Sequence, residues 1–298
     1  MPHQGHSPRW IGKPDDDATG LPRRGKAMVQ PTESKDRGSD VQQQSPSRPP
    51  LDLARERRDL AVAYRLIAHF QLDDSIFTHI SARAPRDEGE HAFLINPFGL
   101  RFDEVTASNL VTVDLDGKIL HDSFGAGIND AGFTIHSAVH AARPEVGCVI
   151  HTHTVAGVAI SSMREGILPL NQWALQFHNR IAFHDYEGIA LDLAERERLV
   201  ADLGAAKAMI LRNHGLLVCG GTVGEAFALM YNLERTCRAQ LAIMSSGGTP
   251  NTVSPNLAEH TAQQYEMLTR HRGNPDHLDP EWEAYVRLAL KIYPDLAA

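Results

Sequence analysis

From Leu51 onward the sequence predicts one α/β domain with helices on both faces of a mixed sheet. Three observations carry that prediction. Apolar residues recur at helical spacing in several long segments, and short apolar, β-branched runs lie between them. The two kinds alternate irregularly around a hairpin-like element, and no internal repeat is present.

The elements follow in chain order. Leu53–Gln71 reads as a helix, with Leu60, Val62, Ala63, Leu66, Ile67 and Phe70 on one face. Ile76–Arg83 (IFTHISAR) and His91–Pro97 (HAFLINP) read as strands. Leu110–Leu120 reads as a β-hairpin with Asp116-Gly117 as a two-residue turn. Ile128–Val146 is a helix that opens on the N-capping residues Asn129 and Asp130 and stops at Pro144. Val146–His151 is a short apolar strand, and a helix over Thr154–Met163 leaves it. A helix over Ala190–Gly204 closes on Gly204, and Lys207–Gly221 is two strands broken at Asn213-His214-Gly215. Thr222–Gly248 is a long amphipathic helix with Thr222 and Glu225 as a capping box. Residues 51–250 form the domain, and residues 251–298 an extension in which Glu281–Leu296 reads as a docking helix.

Composition narrows the function classes. The chain has 298 residues, 42% of them hydrophobic, and a net charge of −8, which argues against nucleic acid or an anionic membrane surface as its main partner. Its three cysteines, Cys148, Cys219 and Cys237, are too scattered for a disulfide framework and read as buried thiols in a reducing compartment. No apolar run approaches the ~18–20 residues of a membrane span. The N-terminal stretch MPHQGHSPRWIGKPDDD is polar throughout, without a signal-peptide core, so a cytoplasmic location is expected. Residues 1–50, rich in Pro, Gln, Ser, Gly, Asp and Arg, lack apolar periodicity and are expected to be disordered; Met28 is a candidate alternative start.

The histidines carry the chemistry. His151 and His153 stand at i and i+2 at the end of an apolar strand, so both project from one face. Two imidazoles side by side suit a metal if a third ligand arrives, and His214, at the end of the strand MIL and followed by a glycine, is the best donor. Polar residues at a strand end are the plainer reading of the pair. His136 and His140, at i and i+4, have no acidic residue between them and read as a surface or hydrogen-bonded helix face. His178 and His184 read equally well as catalytic or as loop residues.

The stretch INDAGFTIHSAVHAARPEVGCVIHTH, followed about sixty residues later by Asn213-His214-Gly215, resembles the class II aldolase/adducin superfamily. The resemblance covers roughly Leu51–Gly248. It implies a three-layer α/β/α domain around a mixed, largely antiparallel sheet, a homotetramer with active sites between subunits, and a catalytic zinc on His151, His153 and His214.

Departures from the family pattern matter as much. Where sugar-phosphate aldolases of the family read Ser-Ser-Glu, this chain reads Asp130-Ala131-Gly132, so the acid/base glutamate position is Gly132. A positioned acid/base is worth roughly 10²–10⁴-fold in rate. The phosphate-binding positions read Thr78-His79 and Asn96-Pro97-Phe98-Gly99, which removes most of the donors a phosphate would use. FLINPFGL, NDAGFTIHSAVHAARPEV, HTHTVAGVAISSM and HDYEG resemble adducin heads and their bacterial relatives.

The reading is therefore a metal-dependent carbon–carbon lyase of aldolase or decarboxylase type. It would act through an enolate on a non-phosphorylated carbonyl or carboxylate substrate, with Zn²⁺ first and Mn²⁺ or Fe²⁺ as alternatives. Tyr186, His184, His178 and Asp130 are the acid/base candidates, with Asp185 beside them, and His79 and Asn96 the substrate-orienting ones. The alternatives are a non-catalytic adducin-like scaffold and Fe(II)-dependent oxidative cleavage. The partners expected are a small-molecule substrate and further copies of the chain, without nucleic acid or membrane.

Overall fold

The computed structural model describes residues 53–84, 91–189 and 194–297. The expected N-terminal disorder lies outside these residues, as does the beginning of the helix expected over Ala190–Gly204.

In chain order the elements are α1 (Leu53–His69), β1 (His79–Arg83), β2 (Phe93–Ile95), β3 (Val111–Val113), β4 (Ile119–His121), α2 (Asp130–Ala142), β5 (Cys148–Thr152) and α3 (Val155–Ser161). Then come α4 (Gln172–Leu175), β6 (Ile181–His184), α5 (Glu195–Leu203), β7 (Ala208–Leu211), β8 (Gly215–Gly220), α6 (Val223–Ser245), α7 (Pro255–Thr269) and α8 (Pro280–Ile292). The eight strands form one sheet in the order β4-β3-β2-β1-β5-β8-β7-β6. Every neighbouring pair is antiparallel except β6–β7, which is parallel.

Period-2 alternation along the central strands divides their side chains between two cores. Cys148 and Ile150 of β5 join Ile210 of β7 and Leu216 and Val218 of β8 beneath α1, α6 and α8. Val149, Met209, Leu217 and Cys219 face the other way, onto Ile135 and Val139 of α2 and Leu199 and Leu203 of α5. The result is the three-layer α/β/α arrangement around a mixed, largely antiparallel sheet. All three cysteines are buried, and among the described residues none forms a disulfide. Among the described residues no helix is long and apolar enough to cross a membrane.

Several local expectations need correction. Strand β1 starts at His79 rather than Ile76, because Phe77 closes a tight turn onto the Asp74 carbonyl (2.8 Å) and Thr78 takes φ +68°. The hairpin is present, but its loop is longer than two residues. Asp114 and Lys118 close it, the Asp114 carboxylate accepts from the amides of Asp116 and Lys118, and Gly117 has φ +87°. Thr222 caps α6 by accepting from the Glu225 amide, whereas the Glu225 carboxylate accepts from Gly221 and Lys207 instead of completing a capping box. Helix α7 was not anticipated, since it buries only Ala258 and Ala262. The C-terminal helix α8 buries Trp282, Val286 and Ala289 in the same core as α1 and α6.

Candidate metal centre

The sheet brings the three histidines together. His151 is the fourth residue of β5 and projects toward the α2 face, and His153 follows two residues on, just past the strand end. Strand β8 pairs antiparallel with β5, so the Asn213-His214 turn that precedes β8 sits over the end of β5. Gly215 makes that approach feasible: a Cβ there would lie 2.4 Å from the Thr152 carbonyl oxygen. Thr154 then starts α3 by accepting from the Gly157 amide, and it donates to the buried Glu234 carboxylate, fixing the chain immediately after His153. The ring centroids of His151, His153 and His214 are 4.6–4.7 Å apart. One ring nitrogen of each lies within 4.8 Å of the other two.

Protonation decides what this cluster can do. Nδ1 of His151 is 3.0 Å from the Leu216 carbonyl oxygen, and Nδ1 of His153 is 3.0 Å from a carboxylate oxygen of Asp74. Both oxygens are acceptors only, so each Nδ1 carries the proton. Burial holds the His151 imidazole well below its ordinary pKa, and burial together with His153 lowers His214 to about 4. With a single proton on each ring, the remaining lone pairs, both on Nε2, face each other 2.8 Å apart. Two such lone pairs repel unless a cation lies between them. The three-imidazole set with acceptors behind two of its members therefore fits a divalent metal with open coordination positions.

A cavity of about 560 Å³ opens on this cluster. Its walls include Asp74, Thr78, His79, Phe98, the first turn of α2 from Asp130 to Gly132, Tyr186 and Ile189. Thr78, β-branched and at φ +68°, is a backbone outlier in that wall. His79 stands opposite His151 in the β1–β5 ladder, so the two side chains share one face. Its ring covers Gly132: a Cβ at residue 132 would lie 2.4 Å from Nδ1 of His79. Burial lowers His79 to about 3, and neither of its ring nitrogens has a hydrogen-bond partner among the described residues.

Of the residues singled out from sequence, Tyr186, Asp130 and His79 line this cavity, and the Tyr186 ring is 6.4 Å from that of His214. His184, His178 and Asn96 do not. His184 is a buried strand residue, with Nδ1 2.7 Å from Asp202 and Nε2 3.4 Å from Glu195. His178 lies in the turn after α4, where its carbonyl accepts from Arg180. The Asn96 side chain is spent on the Tyr64 hydroxyl (2.8 Å) and the Pro97 carbonyl (3.3 Å). Asp185 is exposed beside Arg212.

Sequence reasoning missed Asp74, which no spacing ties to His153. It also missed the contact between His79 and Gly132. Of the two readings of His136 and His140, the hydrogen-bonded helix face holds and the surface one does not: both are buried, and both bond the Ser81 hydroxyl, at 2.6 and 2.8 Å. Ser81 lies two residues after His79 on the same face of β1. The helical i, i+4 spacing was the available signal, and it required a polar partner on the facing strand.

The family model for the class II aldolase and adducin N-terminal domain matches residues 58–241. A Pseudomonas aeruginosa protein assigned to aldolase class 2 is 53% identical over 191 residues, covering 64% of this chain and 72% of that protein. Alpha-adducin of Rattus norvegicus is 42% identical over 233 residues, or 76% of this chain but 31% of the adducin. Among solved structures, an L-fuculose 1-phosphate aldolase from Glaciozyma antarctica superposes with a TM-score of 0.71 at 29% identity, covering 83% of this chain and 96% of that one.

Proposed function

Because the chain belongs to the class II aldolase and adducin N-terminal domain family, we propose that it is a metal-dependent carbon–carbon lyase of aldolase or decarboxylase type. Its substrate is a non-phosphorylated molecule with a carbonyl or carboxylate group. The observation that carries this reading is the pair of Nε2 atoms 2.8 Å apart on two imidazoles whose Nδ1 atoms are already engaged.

In this reading His151, His153 and His214 hold the ion, and Asp74 and the Leu216 carbonyl fix the orientation of the first two rings. A bound divalent ion, zinc first among the candidates, supplies Lewis acidity to a substrate oxygen beside the bond that breaks. Tyr186 and Asp130 reach the cavity and are the groups available to give or take a proton there. Position 132 has no side chain to abstract a proton from carbon. Loss of carbon dioxide needs no such abstraction, which favours the decarboxylase branch. Phe98 in the wall and the lack of serines at Asp130-Ala131 support a ligand without a phosphate.

A second reading, a non-catalytic scaffold, draws on the similarity to alpha-adducin. Turnover separates the two. Metal-loaded protein is assayed against 2-oxo and 3-oxo acids and hydroxy-oxo acids for release of carbon dioxide or aldehyde. The lyase reading expects release that His214→Ala abolishes. Absence of turnover across the panel, with the metal in place, favours the scaffold.

A further inference from the structure

We propose that the substrate carries an aromatic ring, seated against Phe77, Phe98, Ile128, Tyr186 and Ile189 in the cavity beside the triad. The inference rests on the lyase reading and names its substrate class, an aryl-substituted oxo or hydroxy acid.

The walls are the first observation. These five large side chains all line the cavity that opens on the triad, so a molecule with an oxygen at the metal extends along them. Phe77 and Phe98 are 48% and 40% exposed, and neither belongs to a core cluster. Their rings are therefore presented to a ligand rather than spent on the fold. Main-chain bonds set this wall in advance. The Phe77 amide closes its turn on the Asp74 carbonyl at 2.8 Å, and the Phe98 amide donates to the Gly127 carbonyl at 2.9 Å, which ties the Phe98 loop to the segment carrying Ile128.

The polar groups are the second observation, because most of them are already committed. Asp74 holds Nδ1 of His153 through one oxygen, and the Asn129 side-chain oxygen takes the Gly132 amide. The Thr78 hydroxyl and both ring nitrogens of His79 are buried out of a ligand's reach. Besides the triad and the second Asp74 oxygen, the side chains left to meet substrate oxygens are Asp130, Tyr186 and the Asn129 amino group. A polyol chain lying along these walls would set hydroxyls against Phe and Ile without partners, a cost that an apolar group avoids. A volume of about 560 Å³ is also far more than a three-carbon acid fills. Among apolar groups a flat ring suits the walls best, since Phe77, Phe98 and Tyr186 can meet it edge to face or offset-stacked.

The test uses three 2-hydroxy acids that differ in what they carry beyond the acid group: lactate, gluconate and 3-phenyllactate. Each is titrated calorimetrically into the metal-loaded full chain. Wild type should bind 3-phenyllactate saturably and at least tenfold more tightly than lactate or gluconate. Phe98→Ala should cut that preference at least fivefold with metal content unchanged, and Phe98→Tyr should restore it. Equal affinities in wild type, tighter binding of gluconate, or a preference that survives in Phe98→Ala would overturn the assignment. A measurement on wild type guards against a folding defect in the variant. In saturation-transfer spectra the phenyl protons of 3-phenyllactate should receive more saturation than its Cα proton, and the reverse order also overturns the proposal. Absence of turnover counts against the lyase reading, whereas the affinity ratio reports on this one.

Discussion

Nε2 of His151 lies 2.8 Å from Nε2 of His153, and Nδ1 of each ring is committed to an oxygen that can only accept. With a single proton on each ring, this arrangement is unfavourable without a cation and favourable with one. The acceptors behind the rings are therefore as much a part of the site as the rings themselves.

Asp74 is the clearest case. It reaches His153 from the turn before β1, and it fixes which nitrogen of that ring is free. Asp74→Ala should lower metal affinity about 10–100-fold, the usual effect of losing such a partner, without unfolding the protein. Chelator competition measures it, and affinity equal to wild type would remove Asp74 from the site.

The contact between Gly132 and His79 predicts a suppressor. Gly132→Ala places a Cβ within 2.4–2.7 Å of three ring atoms of a fully packed imidazole, and should cost about 1–3 kcal/mol as overpacking. In a His79→Ala background the same substitution should cost much less. Additive losses in denaturant unfolding would show that the two positions do not compete for one volume.

His136 predicts a pH dependence with a definite sign. It is completely buried, and desolvation holds its pKa well below the ordinary value. The unfolded chain binds a proton there below about pH 6.5, while the folded one does not. Its contribution to stability is therefore complete above pH 6.5 and is lost as pH falls, at about 1.4 kcal/mol per unit. His136→Gln should flatten the acid limb of stability against pH by about that slope. An unaltered slope would mean that the ring is already charged in the fold.

Trp282 tests whether the last helix belongs to the core. Its ring sits beside Phe227 at 5.6 Å and against Gly224 of α6. Trp282→Ala should destabilise by about 3–5 kcal/mol. A loss below 1 kcal/mol would make α8 an appendage that the domain does not need.

The sequence foretold elements whose signals are local. Asn129 and Thr222 do cap α2 and α6, Gly204 does follow α5, and the break at Asn213-His214 does separate two strands. The i, i+2 rule placed His151 and His153 on one face, His214 was the best donor for a third ligand, and the resemblance to the class II aldolase/adducin superfamily made the set firm; the three do lie together. What escaped depends on contacts between distant segments. Asp74 meets His153 across 79 residues with nothing in the local pattern to announce it, and Ser81 meets His136 across 55, where the i, i+4 spacing of His136 and His140 marks one helix face but not its partner. His184 and Asn96 misled for the same reason. Each is a polar residue near an apolar run, and burial beside Asp202 or Tyr64 explains it without a ligand. The exposed α7 was invisible because a helix burying only two alanines leaves almost no apolar stripe.

The central claim is that His151, His153 and His214 hold a divalent metal. Elemental analysis of tag-free protein, wild type beside the His151→Ala, His153→Ala double variant, tests it most directly. The account predicts about one Zn, Mn or Fe per chain in wild type, lost in a variant that still folds. Wild type that stays metal-free after reconstitution, or a double variant that keeps its metal, would contradict it.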